Sequence, residues 1–200
     1  MGISIMYNRF IKRILDLLIS GVGLVVLSPL FLIISVLIKA SDGGPVFYHA
    51  ERIGKDSKKL EMYKFRSMKV NAEDIRNPDG STYNSKDDSR VTKIGRILRE
   101  TSLDELPQMI NMFKGEMSLI GPRPSTWDML PTYQSDEVDK MKVRPGITGY
   151  SQAYFRNNKS AREKRLADAW YANHVTFGLD VKIFFKTIQT VLLHRNLYTN

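Results

Sequence analysis

Two hundred residues are enough for one domain with its own hydrophobic core, or for a smaller domain and an anchor. The chain has no cysteine, which excludes disulfides, thiolate catalysis and cysteine metal sites, and its three histidines (His49, His174, His194) are too scattered to support a histidine metal cluster or triad. Its 30 Lys+Arg against 21 Asp+Glu give a net charge of +9, which points to an anionic partner: nucleic acid, an anionic membrane surface or a phosphorylated substrate.

The first element is apolar. Residues 17–38, LLISGVGLVVLSPLFLIISVLI, form a 22-residue run without charge. At about 1.5 Å per residue, a helix of that length covers roughly 33 Å, the thickness of a bilayer core. The run is too long for a signal-peptide core, and no small-residue cleavage site follows it. A buried core helix is the soluble alternative. Ser28-Pro29, near the middle, removes one backbone hydrogen bond and predicts a kink, where the serine hydroxyl can serve the freed carbonyl. Arg9, Lys12 and Arg13 precede the run, and the rest of the chain is also basic. A bent hairpin that enters and leaves by one face keeps both basic flanks cytoplasmic, whereas a straight span keeps only one. This favours a re-entrant membrane helix broken at Ser28-Pro29, with residues 1–40 in the membrane and residues 41–200 forming a domain on the cytoplasmic face. Asp16 is expected to form a helix-flank ion pair with Lys12 or Arg13.

Residues 45–54 (PVFYHAERIG) and 59–68 (KLEMYKFRSM) predict short strands. Residues 71–90 are polar and contain Asn-Pro-Asp-Gly turn chemistry, so an exposed loop is expected. In 91–100 (VTKIGRILRE), apolar residues at 91, 94 and 98 stand against Lys93, Arg96 and Arg99, the pattern of an amphipathic helix with a basic face. Further helices are predicted over about 126–142, 160–175 and 179–195. The last has a broad apolar face edged by Lys182, Lys186 and Arg195, suited either to packing on the core or to lying in the headgroup region. The expected fold class is α+β, mainly helical. No Gly/Ser-rich spacer separates domain from hairpin, so the two are expected to sit together.

Residues 103–124 read LDELPQMINMFKGEMSLIGPRP. Ser102 and Glu105 match the S-x-x-E capping box, which would give Glu105 a structural role alone. Pro107 opposes that register. Five residues into a helix its missing N–H breaks a ladder bond, whereas a start at Leu103 or beyond places it in the tolerant first turn. Asp104 and Glu105 then open the helix. Helical neighbours point about 100° apart, so the pair suits two separate tasks better than a shared proton. Carboxylates with ordinary pKa values near 4 are ionised at pH 7. An ionised aspartate can attack phosphorus or hold Mg²⁺ through oxygen.

Attack on phosphorus calls for cations around the phosphoryl oxygens. Candidates are Arg123, between Pro122 and Pro124; Arg144, before Pro145-Gly146; and Lys64 and Arg66, which alternate in YKFRSM and would share one strand face. Each alone reads first as a solvated surface charge. The rigid Pro- and Gly-flanked backbone strengthens the two arginines as ligand contacts.

LDELPQMINMFKGEMSLIGPRP, RPGITGYSQ (144–152), YKFRSM and the early apolar segment with Ser28-Pro29 together resemble the bacterial sugar transferases. More narrowly, the chain resembles the small monotopic polyprenyl-phosphate phosphoglycosyl transferases of the PglC type, over nearly its whole length. The resemblance implies a small catalytic domain on the cytoplasmic face of the bacterial inner membrane, held by a re-entrant helix. It implies transfer of a sugar phosphate from a UDP-sugar to undecaprenyl phosphate with Mg²⁺, in two steps through a phosphosugar on aspartate. By motif, Asp104 matches the nucleophile, Glu105 its Mg²⁺-associated partner and Arg123 the phosphate-binding arginine, while Arg144, Lys64 and Arg66 lie in or beside family motifs. The implied partners are UDP-sugar, undecaprenyl phosphate, membrane lipid and glycosyltransferases acting downstream; nucleic acid is not among them.

The sequence also departs from the family pattern. Glu116 stands where aspartate is common, and Ala153-Tyr154-Phe155-Arg156 replaces a Val-x-Gly-Arg continuation, so any particular sugar preference does not carry over. Asn158-Lys159-Ser160 is formally a glycosylation sequon, without meaning on a cytoplasmic domain. Two other readings compete: a membrane-anchored basic module that binds nucleic acid or anionic lipid, and a metal-dependent phosphohydrolase using the same acids.

Overall fold

The computed structural model describes residues 6–76, 83, 85, 87–155 and 158–192; the Asn-Pro-Asp-Gly turn, Arg156, His194 and Arg195 lie outside the described residues. A π-helical turn, Tyr7–Ile11, leads into α1, Lys12–Val26, and α2 follows as Ser28–Asp42. The two helices are bent by 61° at the Leu27 break. Pro29 stands in the first turn of α2, where a missing N–H is tolerated. The carbonyl it leaves free, four residues back, is that of Val25, and the Ser28 hydroxyl donates to it at 2.8 Å. Among the described residues no single helix is long and apolar enough to cross a membrane; the bent pair meets the requirement only together. Ile34 and Ile38 face inward, while Leu18, Val22, Val25, Val26, Leu32, Ile33 and Val36 face outward.

Strand β1, Phe47–Ile53, pairs antiparallel with β2, Lys59–Phe65, in a register running from Phe47↔Phe65 to Ile53↔Lys59. Ala50, Leu60 and Met62 on the inner face pack with Met117. Phe65 joins Ile34, Ile38 and Leu98 in a second cluster, with Leu30, Phe31, Leu103 and Leu106 against it, so the bent helices share a core with the domain. Helix α3, Lys93–Glu100, is capped by the Thr92 hydroxyl, which accepts the Gly95 N–H at 2.9 Å. Gly95 is required there: a Cβ would lie 1.9 Å from the Ser67 carbonyl.

Helix α4, Gln108–Lys114, is followed by β3, Ser118–Ile120, which pairs in parallel with β4, Gly146–Thr148. That pairing brings the Gly-Pro-Arg-Pro and Arg-Pro-Gly-Ile-Thr-Gly motifs backbone to backbone; a Cβ on Gly146 would stand 2.1 Å from the Gly121 nitrogen. Helices α5, Tyr150–Tyr154, α6, Ala161–Asn173, and α7, Phe177–Leu192, follow, and the described residues are mainly helical with two small sheets. Ser160, the last residue of the sequon, caps α6 in a capping box with Glu163.

Two expectations are corrected. The helix expected over 126–142 is two separate 3₁₀ segments, Trp127–Thr132 and Val138–Lys142. Pro131 lacks a donor for a longer ladder, and Glu137, buried between the segments, is held by Arg162 at 2.9 Å and Arg165 at 3.1 Å. Asp16 does not pair with Lys12 or Arg13. It accepts the Leu119 N–H at 2.9 Å and the Ser118 hydroxyl at 3.1 Å, joining α1 to β3. Arg13 instead donates to the Met112 and Phe113 carbonyls at 2.7 and 2.9 Å. Lys12 pairs with Asp180 of α7, whose carboxylate also accepts the Tyr7 and Tyr171 hydroxyls.

Candidate active site

The acidic pair sits on its own 3₁₀ turn, Leu103–Glu105, with Pro107 at the N-cap position of α4. Pro107 therefore keeps the turn and the helix distinct, as its missing N–H demands. The capping box is absent: Ser102 adopts φ +58° and its side chain caps nothing, while the Glu105 carboxylate turns to Lys64. A left-handed serine is a strained backbone position of a kind common beside reactive groups. Leu103 and Leu106 anchor the turn in the apolar cluster under the bent helices, which leaves Asp104 and Glu105 at the edge of a broad open cleft of about 1750 Å³.

Lys64, on β2, donates to Glu105 Oε1 at 2.6 Å and stands 3.9 Å from Asp104 Oδ2. Arg123 reaches to within 4.0 Å of the same Glu105 oxygen, with its side chain otherwise open to the cleft. Burial pushes the Glu105 carboxyl up, but Lys64, Arg123 and a hydrogen bond from Gln108 outweigh it and bring the pKa down to about 2. Asp104 moves the other way. Burial raises its pKa, Lys64 pulls it down, and the Glu105 charge raises it again. Among the described residues none donates a hydrogen bond to the Asp104 carboxylate, whose nearest cation is Lys64. Two adjacent carboxylates thus have different characters: one is neutralised by partners, the other is buried, poorly satisfied and next to open space.

Of the cations expected to join this pair, Lys64 and Arg123 do so. The other two have different partners. The Arg66 guanidinium lies just past the end of β2 and takes both oxygens of Asp42, at 2.6 and 2.5 Å, with the Pro45 carbonyl at 2.6 Å. It fastens the end of α2 to the strand. Arg144 donates to the Gly115 carbonyl at 2.7 Å, beyond the C-terminus of α4, and so holds the helix that carries the acidic turn.

Three residues that the sequence did not mark as site candidates also belong to the site. Arg99 of α3, bonded to the Ser67 hydroxyl at 2.9 Å, is among the charges that lower the Asp104 pKa. Asp168 of α6 and Lys140 grip the main chain of Arg123 from both sides: Asp168 accepts its N–H at 3.2 Å and Lys140 donates to its carbonyl at 2.9 Å. These two side chains are buried and 3.8 Å apart. Arg99 was legible as a helix-face charge three residues before the Ser102 turn; Asp168 showed only as a lone acid among Ala169, Trp170 and Tyr171.

No group of three or more His, Asp or Glu side chains converges to cage a metal ion among the described residues. The ionised Glu105 nevertheless fits Mg²⁺, which is commonly held by one or two carboxylates together with substrate phosphates.

A family model described as bacterial sugar transferase matches residues 7–194. Over 198 residues the chain is 41% identical to the exopolysaccharide production protein ExoY of Rhizobium meliloti, covering 94% of this chain and 88% of that protein. It is 37% identical to an undecaprenyl-phosphate galactose phosphotransferase of Salmonella typhimurium, across 96% of this chain but 42% of the longer relative. It is 39% identical to a UDP-N-acetylgalactosamine-undecaprenyl-phosphate N-acetylgalactosaminephosphotransferase of Aeromonas hydrophila, across 92% of this chain and 44% of that protein.

Proposed function

The chain belongs to the bacterial sugar transferase family, and we propose that it moves a sugar 1-phosphate from a UDP-sugar to undecaprenyl phosphate, releasing UMP. The observation that carries this reading is the Asp104 carboxylate: buried, without a hydrogen-bond donor among the described residues, and facing a cleft lined by Lys64 and Arg123. An oxygen of Asp104 attacks the phosphorus that bears the sugar. The bond from that phosphorus to the bridging oxygen breaks, and UMP leaves with the electron pair. A phosphate oxygen of the lipid carrier then attacks the same phosphorus and frees the Asp104 carboxylate, giving the polyprenyl-diphosphate sugar. Lys64 and Arg123 neutralise phosphoryl oxygens along the way, where charge placement supplies most of the acceleration. Asp168 and Lys140 are positioning residues, since they hold Arg123 through its backbone.

Glu105, with substrate phosphates, would hold Mg²⁺, which supplies further neutralisation of the diphosphate when bound. Glu105→Gln is expected to raise the Mg²⁺ concentration needed for half-maximal rate. The bent α1–α2 pair fits a re-entrant hairpin: Asp16 near the start of α1 and Asp42 at the end of α2 are both bonded to the domain, and the outward apolar residues would face lipid on the cytoplasmic leaflet of the inner membrane. Such a hairpin, residues 1–40, keeps a catalytic domain of residues 41–200 at the level of the lipid phosphate. The product would be the substrate of downstream glycosyltransferases.

The test is UMP release from a UDP-sugar panel with and without undecaprenyl phosphate. Release that needs the lipid supports transfer. Release to water indicates a phosphohydrolase, and no release leaves a binding module. Labelled donor sugar should be trapped on residue 104; sustained turnover with no adduct there rules out the covalent route.

A further inference from the structure

Arg13, Arg66, Arg90, Arg144 and Arg162 each donate to a protein carbonyl or carboxylate. Arg52 does not: no described residue hydrogen-bonds or ion-pairs with its guanidinium. It nonetheless lines the cleft that holds the acidic turn. Burial, and after it the repulsion of Arg123, push its pKa down; Asp128 opposes this, but its carboxylate and that of Asp74 are already paired with Arg76, at 3.3 and 2.6 Å. Desolvating a charge without a direct ion-pair partner is costly, and a fold that does so at the wall of a cleft is arranged for an anion that arrives from outside.

The strand register places this cation. Tyr48, Ala50 and Arg52 share one face of β1, and their cross-strand partners Lys64, Met62 and Leu60 share the same face of β2. Lys64, beside Asp104 and Glu105, therefore marks one end of the hairpin floor and Arg52 the other, four residues or about 13 Å along the strand. At the Arg52 end, β1 is stitched to the segment after Gly-Pro-Arg-Pro by an Arg52↔Thr126 bridge and by the Ile53 N–H donating to the Ser125 carbonyl at 2.9 Å. That stitch brings Arg52 to Arg123. Lys64, Glu105, Arg99 and Arg123 are the strongest charges on Asp104; Arg123, Tyr48, Arg76 and Asp128 are the strongest on Arg52. Arg123 is common to both neighbourhoods.

We propose that Arg52 and Arg123 form the seat for the phosphate that stays on the nucleotide, so that the departing nucleoside monophosphate is held on the side of the attacked phosphorus that faces away from Asp104. The inference rests on the transferase reading above. When the bridging P–O bond breaks, the electron pair stays on the nucleotide phosphate, and the added negative charge falls between two arginines already in place. The lipid phosphate is not the occupant. β1 begins at Phe47, stacked on Phe65 in the cluster under the bent helices, and Arg52 lies five residues, about 17 Å, further along.

The test is calorimetric titration of the purified full chain in detergent with UMP, with uridine and with a short-chain polyprenyl phosphate. Wild type, Arg52→Gln and Arg52→Lys are compared. Losing a charge-assisted phosphate contact should weaken UMP about tenfold to a hundredfold in Arg52→Gln, with partial recovery in Arg52→Lys. Uridine and polyprenyl phosphate should be unaffected, and KM for UDP-sugar should rise while KM for the lipid stays level. If Arg52→Gln does not fold, Arg52→Lys carries the test, with several-fold weaker UMP binding and unchanged lipid binding. Unchanged UMP affinity in the folded variants overturns the seat, as does a wild-type chain that binds no UMP, or a loss confined to polyprenyl phosphate. The transferase reading fails separately: a wild-type chain that binds UMP through Arg52 yet releases none from UDP-sugar and lipid would keep the seat and lose the reaction.

Discussion

Two buried carboxylates next to lysines, Asp180 and Asp104, are built differently. Asp180 is saturated. Lys12, Tyr7 and Tyr171 all donate to it, and burial together with Asp180 pushes the Tyr171 hydroxyl far above its ordinary pKa. Asp104 has a lysine at 3.9 Å and no hydrogen-bond donor among the described residues. The first arrangement closes every donor and acceptor, joining the start of α1 to α7. The second leaves a desolvated oxygen facing a cleft while its neighbour Glu105 takes the lysine at 2.6 Å. A structural acid is a finished network; a reactive one is left incomplete where substrate enters.

The largest test of that contrast is Asp104→Asn. Removing the proposed nucleophile should lower UMP release at least about 10⁴-fold. Thermal unfolding should not worsen, because an underpaired buried charge is being removed. Activity within tenfold of wild type would erase the distinction. Asp180→Asn should do the reverse. Leaving the Lys12 ammonium buried without its partner costs about 3–5 kcal/mol, measurable by unfolding in detergent, with turnover per folded molecule unchanged.

Lys64→Met sharpens the comparison through pH. Lys64 lowers the pKa of both acids, so its removal raises both. On the proposed route Asp104 attacks only when ionised, and its raised folded pKa sets the acid limb, because Glu105 near 2 titrates well below it. The limb of kcat/KM should therefore move to higher pH in Lys64→Met. An unmoved limb would show that Asp104 does not control it.

Much of this was legible in local sequence. The Ser28-Pro29 break, both strands and the amphipathic helix at Lys93–Glu100 follow from period and propensity, because each is decided within one turn or one pleat. Pro107 correctly opposed the capping box. The failures share a cause: each depended on a partner distant in sequence. Asp16 has Lys12 and Arg13 one turn away, yet bonds to Ser118 and Leu119. The 126–142 segment has helical composition, but buried Glu137 answers to Arg162 and Arg165. Arg52 gave no local signal, since its significance lies in what it does not touch.

The smallest expected effect on catalysis comes from the residue whose pattern was most misleading. Arg66 alternates with Lys64, and period two would set both on one phosphate-facing surface. The strand ends at Phe65, however, and the guanidinium closes on Asp42, Pro45 and Met68. That bidentate contact holds Asp42 at a pKa of about 2. Arg66→Gln is therefore expected to lower the unfolding temperature by releasing the end of α2, while KM for UDP-sugar stays within about twofold, as expected for a side chain that makes no transition-state contact. Arg123→Gln, assayed alongside, should raise KM and lower kcat without changing the unfolding temperature. If the two variants exchanged these behaviours, the phosphate-binding role would belong to Arg66, and the rule that an incomplete network marks the reactive end would fail at this site.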